Sequence, residues 1–181
     1  SVVLLVSLGL SFLVPVARRH VEERHLASVA SRLVGHPVAV HCQTNAAALV
    51  DIGPELGWVP FDADGVPEPQ TLLKRQACNG LRSYAKHRTR PSEDEVIAVH
   101  VLTHEAMHMR GETQEAVTEC EALQRDADTA RMLGATAIQA RRLARTYWLV
   151  VYPTMPDDYR AAECGPGKAL DEGLVNAPWS P

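Results

Sequence analysis

Residues 92–111 read SEDEVIAVHVLTHEAMHMRG, and this stretch from Ser92 to Gly111 decides the fold. Ser92 is placed to cap a helix, and Glu95, three residues on, completes a capping box. Glu93 and Asp94 suit the positive end of the helix dipole. Val96, Ile97, Val99, Val101 and Leu102 make the segment apolar nearly all round, which predicts a central, buried helix over about Glu93 to Met109. Gly111 is a fitting C-terminal stop. Inside this helix lies His104-Glu105-Ala106-Met107-His108, the pattern H-E-x-x-H. Helix positions four apart share a face, so both imidazoles can grip one metal ion. Glu105 then stands beside the ion, where it can take a proton from bound water. This is the arrangement of a zinc hydrolase.

Zinc in a catalytic site needs a third protein ligand and one position for water. A carboxylate-rich segment follows, with Glu112, Glu115, Glu119 and Glu121 available. A helix is expected over Glu112 to Leu133, stopping at Gly134. If it folds back around Gly111 as an antiparallel hairpin, Glu115 and Glu119, one turn apart, come level with the histidines. Glu112 would sit at the exposed start and Glu121 would point away. A further helix is expected over Thr136 to Val151, ending before Pro153. The tail, Pro153 to Pro181, is rich in Pro and Gly and reads as irregular packing over the helices.

Upstream, Arg18 to Leu33 has helical periodicity. Pro37 to Cys42 and Gly57 to Phe61 read as strands. Asp62-Ala63-Asp64-Gly65 reads as a turn, with Thr71 to Lys74 pairing back across it. Brief helices are expected over Asn45 to Asp51 and Cys78 to Lys86. The Asp62/Asp64/Gly65 turn lacks the rest of a calcium loop. The fold class expected is therefore α+β: a small N-terminal sheet packed on a helical C-terminal half.

The third ligand brings in a resemblance. The chain resembles the gluzincin metallopeptidases, which join H-E-x-x-H to a Glu on a later helix, often in an E-x-x-A pattern. Glu119-Cys120-Glu121-Ala122 matches that pattern, whereas Thr118 stands where Glu115 would need the alanine. The resemblance implies a zincin-like fold, with His104, His108 and Glu119 as zinc ligands and Glu115 as the alternative. The spacing departs from the family, since only ten residues separate His108 from Glu119. The metzincin pattern fits less well, because its third histidine falls at Gln114. The stretch VLTHEAMHMRGETQEAVTEC, with the later YPTMPDDYR and Glu163-Cys164, is also similar to a bacterial family of small exported metallopeptidases without an assigned substrate. That likeness spans residues 36–172.

Residues 2–17 are almost purely apolar, and they are expected to form a signal anchor or signal peptide. Residues 18–35 would be a juxtamembrane helical stem and 36–181 the metallopeptidase domain. Four cysteines behind an export signal suggest disulfides; three connectivities are open, and Cys42–Cys78 with Cys120–Cys164 is favoured because each joins chain neighbours. Eighteen basic against twenty-two acidic residues, a net charge of −4, give no footprint for nucleic acid.

The expected function is a zinc-dependent peptidase, exported or membrane-anchored through residues 2–17, acting on a peptide or protein substrate. Glu105 would be the general base. Tyr147, Tyr152, Tyr159 and His100 are candidates to stabilise the oxyanion. Hydrolysis of a non-peptide amide is compatible with the motif. The alternative is a catalytically inactive zincin-fold module that binds a cell-envelope partner.

Overall fold

The computed structural model describes residues 2–44, 47, 53 and 55–180, and for residues 2–15 the backbone alone. The elements are α1 (Val2–Val34), β1 (Ala39–Cys42), β2 (Gly57–Trp58), β3 (Gln70–Leu73), α2 (Arg75–His87), α3 (Glu93–Arg110), α4 (Glu115–Met132) and α5 (Ala137–Thr146). α5 runs on into a π-helical turn, Tyr147–Val151. The architecture is α+β and mostly helical.

The sheet has the order β1-β3-β2. β1 lies parallel to β3, Val40 opposite Thr71, and β2 pairs antiparallel with it, Gly57 opposite Leu73. Alternation buries Val40 and Cys42 of β1 and Thr71 and Leu73 of β3 on the helical side. The turn after β2 forms as expected: Asp62 Oδ1 accepts from the backbone N–H of Asp64 and Val66, and Gly65 takes a φ of +77°. The strand expected over Gly57 to Phe61 is shorter, leaving only a bridge from Phe61 to Pro67.

α3 is the central element. Ser92 Oγ accepts from the Glu95 N–H while the Glu95 carboxylate accepts from the Ser92 N–H, and the helix stops at Gly111, whose φ of +121° an L side chain rarely adopts. Its Val96, Val99, Leu102, Ala106 and Met107 are fully buried among the neighbouring helices. α1 joins this core through Leu26, Val29, Ala30 and Val34. Glu23 Oε1 also accepts from the Cys42 N–H at 2.9 Å, so the segment expected to be a stem is packed onto the domain.

Two boundaries differ from expectation. α2 begins at Arg75 rather than Cys78, and α4 begins at Glu115 rather than Glu112. The helix expected over Asn45 to Asp51 lies outside the described residues, save position 47. Among the described residues no helix is long and apolar enough to cross a membrane; most of the run 2–17 lies where only the backbone is described.

Both disulfides pair as expected. Cys42–Cys78 ties β1 to α2, and Cys120–Cys164 ties α4 to the tail. They point to an oxidising compartment outside the cytoplasm. The tail is also held by a two-pronged Arg125–Glu172 pair at 2.5 and 2.6 Å and by Gln124 donating to the Leu170 carbonyl at 2.9 Å.

Candidate metal centre

His100, His104 and His108 fall four residues apart and share one face of α3. On the facing helix, Glu115, Glu119 and Asp126 fall on one face of α4 in the same way. The two helices pack antiparallel, so three histidines meet three carboxylates. His100, His104, His108, Glu119 and Asp126 are all buried, and Glu115 is half-buried.

The contacts sort into two groups that share His104. In the outer group, Glu115 Oε2 lies 3.1 Å from His104 Nε2 and 3.5 Å from His108 Nε2. In the inner group, Glu119 Oε2 lies 3.0 Å from His104 Nδ1 and 2.9 Å from His100 Nε2. Either set, His104/His108/Glu115 or His100/His104/Glu119, has donor atoms close enough together to hold a metal ion.

The surroundings distinguish them. His108 Nδ1 donates to the Glu112 carbonyl at 2.8 Å, which leaves its Nε2 turned to Glu115. That bond explains the late start of α4, because Glu112 serves the histidine and its side chain turns the chain. Glu112 Oε1 accepts from the N–H groups of Thr113 and Gln114, both at 2.8 Å. In the inner group Glu119 has little capacity left. Its Oε1 accepts from the Tyr147 hydroxyl at 2.8 Å, and its Oε2 faces two imidazoles. His100 Nδ1 lies 2.9 Å from Asp126 Oδ2, and the Tyr147 ring stacks on His100 with centroids 3.6 Å apart.

The outer donor set suits zinc. Bonds of about 2.0–2.1 Å in a tetrahedron put neighbouring donors about 3.3 Å apart. The two separations from Glu115 Oε2, 3.1 and 3.5 Å, bracket that edge.

The electrostatics follow from burial and pairing. Burial opposes the charged form of His104, but Glu115 and Glu119 on its two nitrogens overcome it and push its pKa up to about 9. His100 behaves alike: burial opposes its charge, Asp126 and Glu119 prevail, and the pKa rises to about 10. Hydrogen bonds from His104 and His108 hold Glu115 down at about 2. Glu119 is held well below the usual range, its burial outweighed by His100 and His104.

Glu105 lies on the side of α3 that meets the sheet. Burial pushes its carboxyl up, and His104 and His108 only partly offset this. Its Oε2 has no hydrogen-bond partner among the described residues. Gly57 of β2 makes room for it: a Cβ there would stand 2.8 Å from Glu105 Oε1. Phe61, half exposed, meets His108 edge-on at 6.5 Å, and Tyr159 leans over His104 at 5.9 Å between ring centroids.

Of the four candidates for the oxyanion, Tyr159 is the one beside His104 with a hydroxyl not engaged by Glu119 or the tail backbone. Burial, with Glu115 and Glu105 nearby, pushes its pKa up to about 12. Tyr147 is spent on Glu119, Tyr152 OH pairs with Ala161, and His100 is enclosed by carboxylates. Gly57, Phe61 and Asp126 escaped the sequence reading. Asp126 had a signal, seven residues after Glu119 on the same face. Gly57 had none, because its neighbour comes from across the fold.

Comparison with family models, with curated proteins and with solved structures finds no match for this chain.

Proposed function

We propose that the chain is a zinc-dependent peptidase in which His104, His108 and Glu115 hold the ion and Glu105 is the general base. One observation carries the reading. Two Nε2 atoms, four residues apart on α3, converge on a single carboxylate oxygen at 3.1 and 3.5 Å, beside the buried Glu105. Glu115 is preferred to Glu119 as third ligand, which reverses the order suggested by the E-x-x-A pattern. Glu119 faces Nδ1 of His104, not Nε2, and its oxygens already accept from three donors.

When bound, zinc would supply a Lewis acid that polarises a carbonyl and acidifies water. Glu105 is suited to take a proton from water, since its raised affinity for protons brings it nearer the operating pH. The same carboxyl then returns the proton to the leaving amine. Tyr159 keeps its proton at neutral pH and can donate to the oxygen that gains charge. Glu119 holds the His104 ring from behind. The apolar run 2–17 would anchor or export the chain, setting the site outside the cytoplasm where its disulfides persist.

The test compares wild type with Glu105→Gln by elemental analysis and by cleavage of a quenched-fluorescent peptide library. Equal zinc in both, with turnover in wild type alone, is the expected result. Equal proteolysis by both would refute the role of Glu105. Zinc uptake with no amide hydrolysis by wild type would favour a zincin-fold binding module of the cell envelope.

A further inference from the structure

His100 stands outside the H-E-x-x-H pentad, and nothing in the proposed reaction requires it. It is 2% exposed and has a carboxylate at each ring nitrogen: Glu119 Oε2 at 2.9 Å from Nε2 and Asp126 Oδ2 at 2.9 Å from Nδ1. Tyr147 covers its face at 3.6 Å and gives its hydroxyl to the other oxygen of Glu119 at 2.8 Å. Burying such a chain of ionisable groups is costly, and apolar residues of the same volume commonly stabilise a fold as well or better. Stability alone is therefore a poor account of it.

What the chain of contacts fixes is Glu119. With Oε1 taken by Tyr147 and Oε2 by His100, the carboxylate has one orientation, and in it Oε2 also meets His104 Nδ1 at 3.0 Å. An imidazole that gives its Nδ1 proton to a carboxylate presents Nε2 to a metal in a fixed direction. Here that direction is toward Glu115 and His108.

We infer that His100 is a positioning residue of the metal centre: with Asp126 behind it and Tyr147 beside it, it locks Glu119 so that the His104 ring is held ready for the ion. The inference rests on the metal-site reading above. The rival is that the inner group, His100, His104 and Glu119, holds the ion itself. Two features oppose the rival. His100 and Glu119 are 2% and 1% exposed, so the group offers no open position for water or substrate. The inner group also leaves out His108, whose Nε2 faces Glu115 instead.

The test uses the full chain, stripped of metal, as wild type, His100→Gln, Asp126→Asn and Glu115→Gln. Each is titrated with Zn2+ against a chromophoric chelator. Each is also loaded with Co2+, and the shifted imidazole N–H resonances are followed for exchange with solvent. His100→Gln and Asp126→Asn should still bind Zn2+, but about 10- to 100-fold more weakly. The protected Nδ1–H signal of His104 should exchange rapidly in both. Asp126→Asn preserves shape and reports if His100→Gln does not fold. Unchanged affinity and an unchanged N–H signal in the folded variants, even with a lower melting temperature, would overturn the inference while leaving the metal site standing. Loss of Zn2+ binding in His100→Gln with retention in Glu115→Gln would move the ion to the inner group and overturn it too. A wild type that takes up no Zn2+ would overturn the metal-site reading itself, and the inference with it.

Discussion

Metal binding at the proposed centre would have to compete with a proton. His104 has a carboxylate oxygen 3.0 Å from Nδ1 and another 3.1 Å from Nε2, and it can donate to both only as the imidazolium. Its pKa of about 9 means that at pH 7 about one ring in a hundred has a bare Nε2. On the proposed reading zinc would have to displace that proton, at a cost of roughly 3 kcal/mol at pH 7. Glu115, with a pKa of about 2, is already ionised and releases nothing. The expected behaviour is an affinity for Zn2+ that rises about tenfold per pH unit from pH 7 to 9 and then flattens. Chelator competition across that range measures the slope. Calorimetric titration at pH 7 in two buffers of different ionisation enthalpy counts the proton released from His104. A histidine with an ordinary pKa of about 6.5 would reach its plateau by about pH 7.5. A break there, or no proton released at pH 7, would refute the double-carboxylate clamp.

The same groups set the stability of the metal-free protein. His100 and His104 have raised folded pKa values of about 10 and about 9, so their contribution is complete below about pH 6.5 and is lost as pH rises through 9 and 10. Glu115 and Glu119 are depressed, so theirs is complete above about pH 4.5 and is lost as pH falls toward 2. Melts of chelator-treated protein should peak between about pH 5 and 6.5, and a melting temperature that climbs from pH 6.5 to 9 would contradict this assignment. Gly57→Ala would put a Cβ 2.8 Å from Glu105 Oε1. The carboxylate must then move by about half an ångström, enough to cost about 10- to 100-fold in turnover. Zinc affinity should hold, and a variant with full peptidase activity would show that Glu105 is not the base. Replacing Cys120 and Cys164 together by Ser opens a link between residues 44 apart. Chain entropy predicts a loss of about 4 kcal/mol, read by urea unfolding, and an unaltered midpoint would refute it.

Local signals carried what was legible in the sequence. The capping box at Ser92 and Glu95, the stop at Gly111 and the shared face of His104 and His108 are decided within a helical turn or two. Both disulfides joined chain neighbours. That Glu115 and Glu119 both come level with the histidines was legible as well, but which imidazole nitrogen each one meets depends on the phase of α4 against α3. That phase is set by four non-helical residues, 111–114, whose path follows from the left-handed Gly111 and from His108 capturing the Glu112 carbonyl. Starting α4 three residues early rotates every acid on it by most of a turn. The parallel pairing of β1 with β3 brings together residues some thirty apart in the chain, and no periodicity within either strand announces it. Gly57 is the same kind of case, a residue whose role appears only when the sheet meets α3.

The site is assembled from parts that answer to different perturbations. The three candidate ligands, with His100, Glu119 and Asp126 behind them, belong to the α3–α4 pair and Tyr147 reaches in from the turn after α5, so metal affinity should depend mainly on one helix interface. Placement of Glu105 depends on the sheet, through Gly57 and Thr71. Tyr159 comes from the tail, which Cys164 fastens to α4 at Cys120, next to Glu119. Breaking that disulfide should therefore reach Tyr159 and Glu119 at once, while changes at Gly57 touch only Glu105. If zinc affinity and turnover fell together in the variant lacking Cys120 and Cys164 but separated in Gly57→Ala, each part would be matched to its job. If Gly57→Ala lost zinc as readily as it lost turnover, the sheet and the helix pair would be one mechanical unit, and assigning Glu105 a role apart from the ligands would fail.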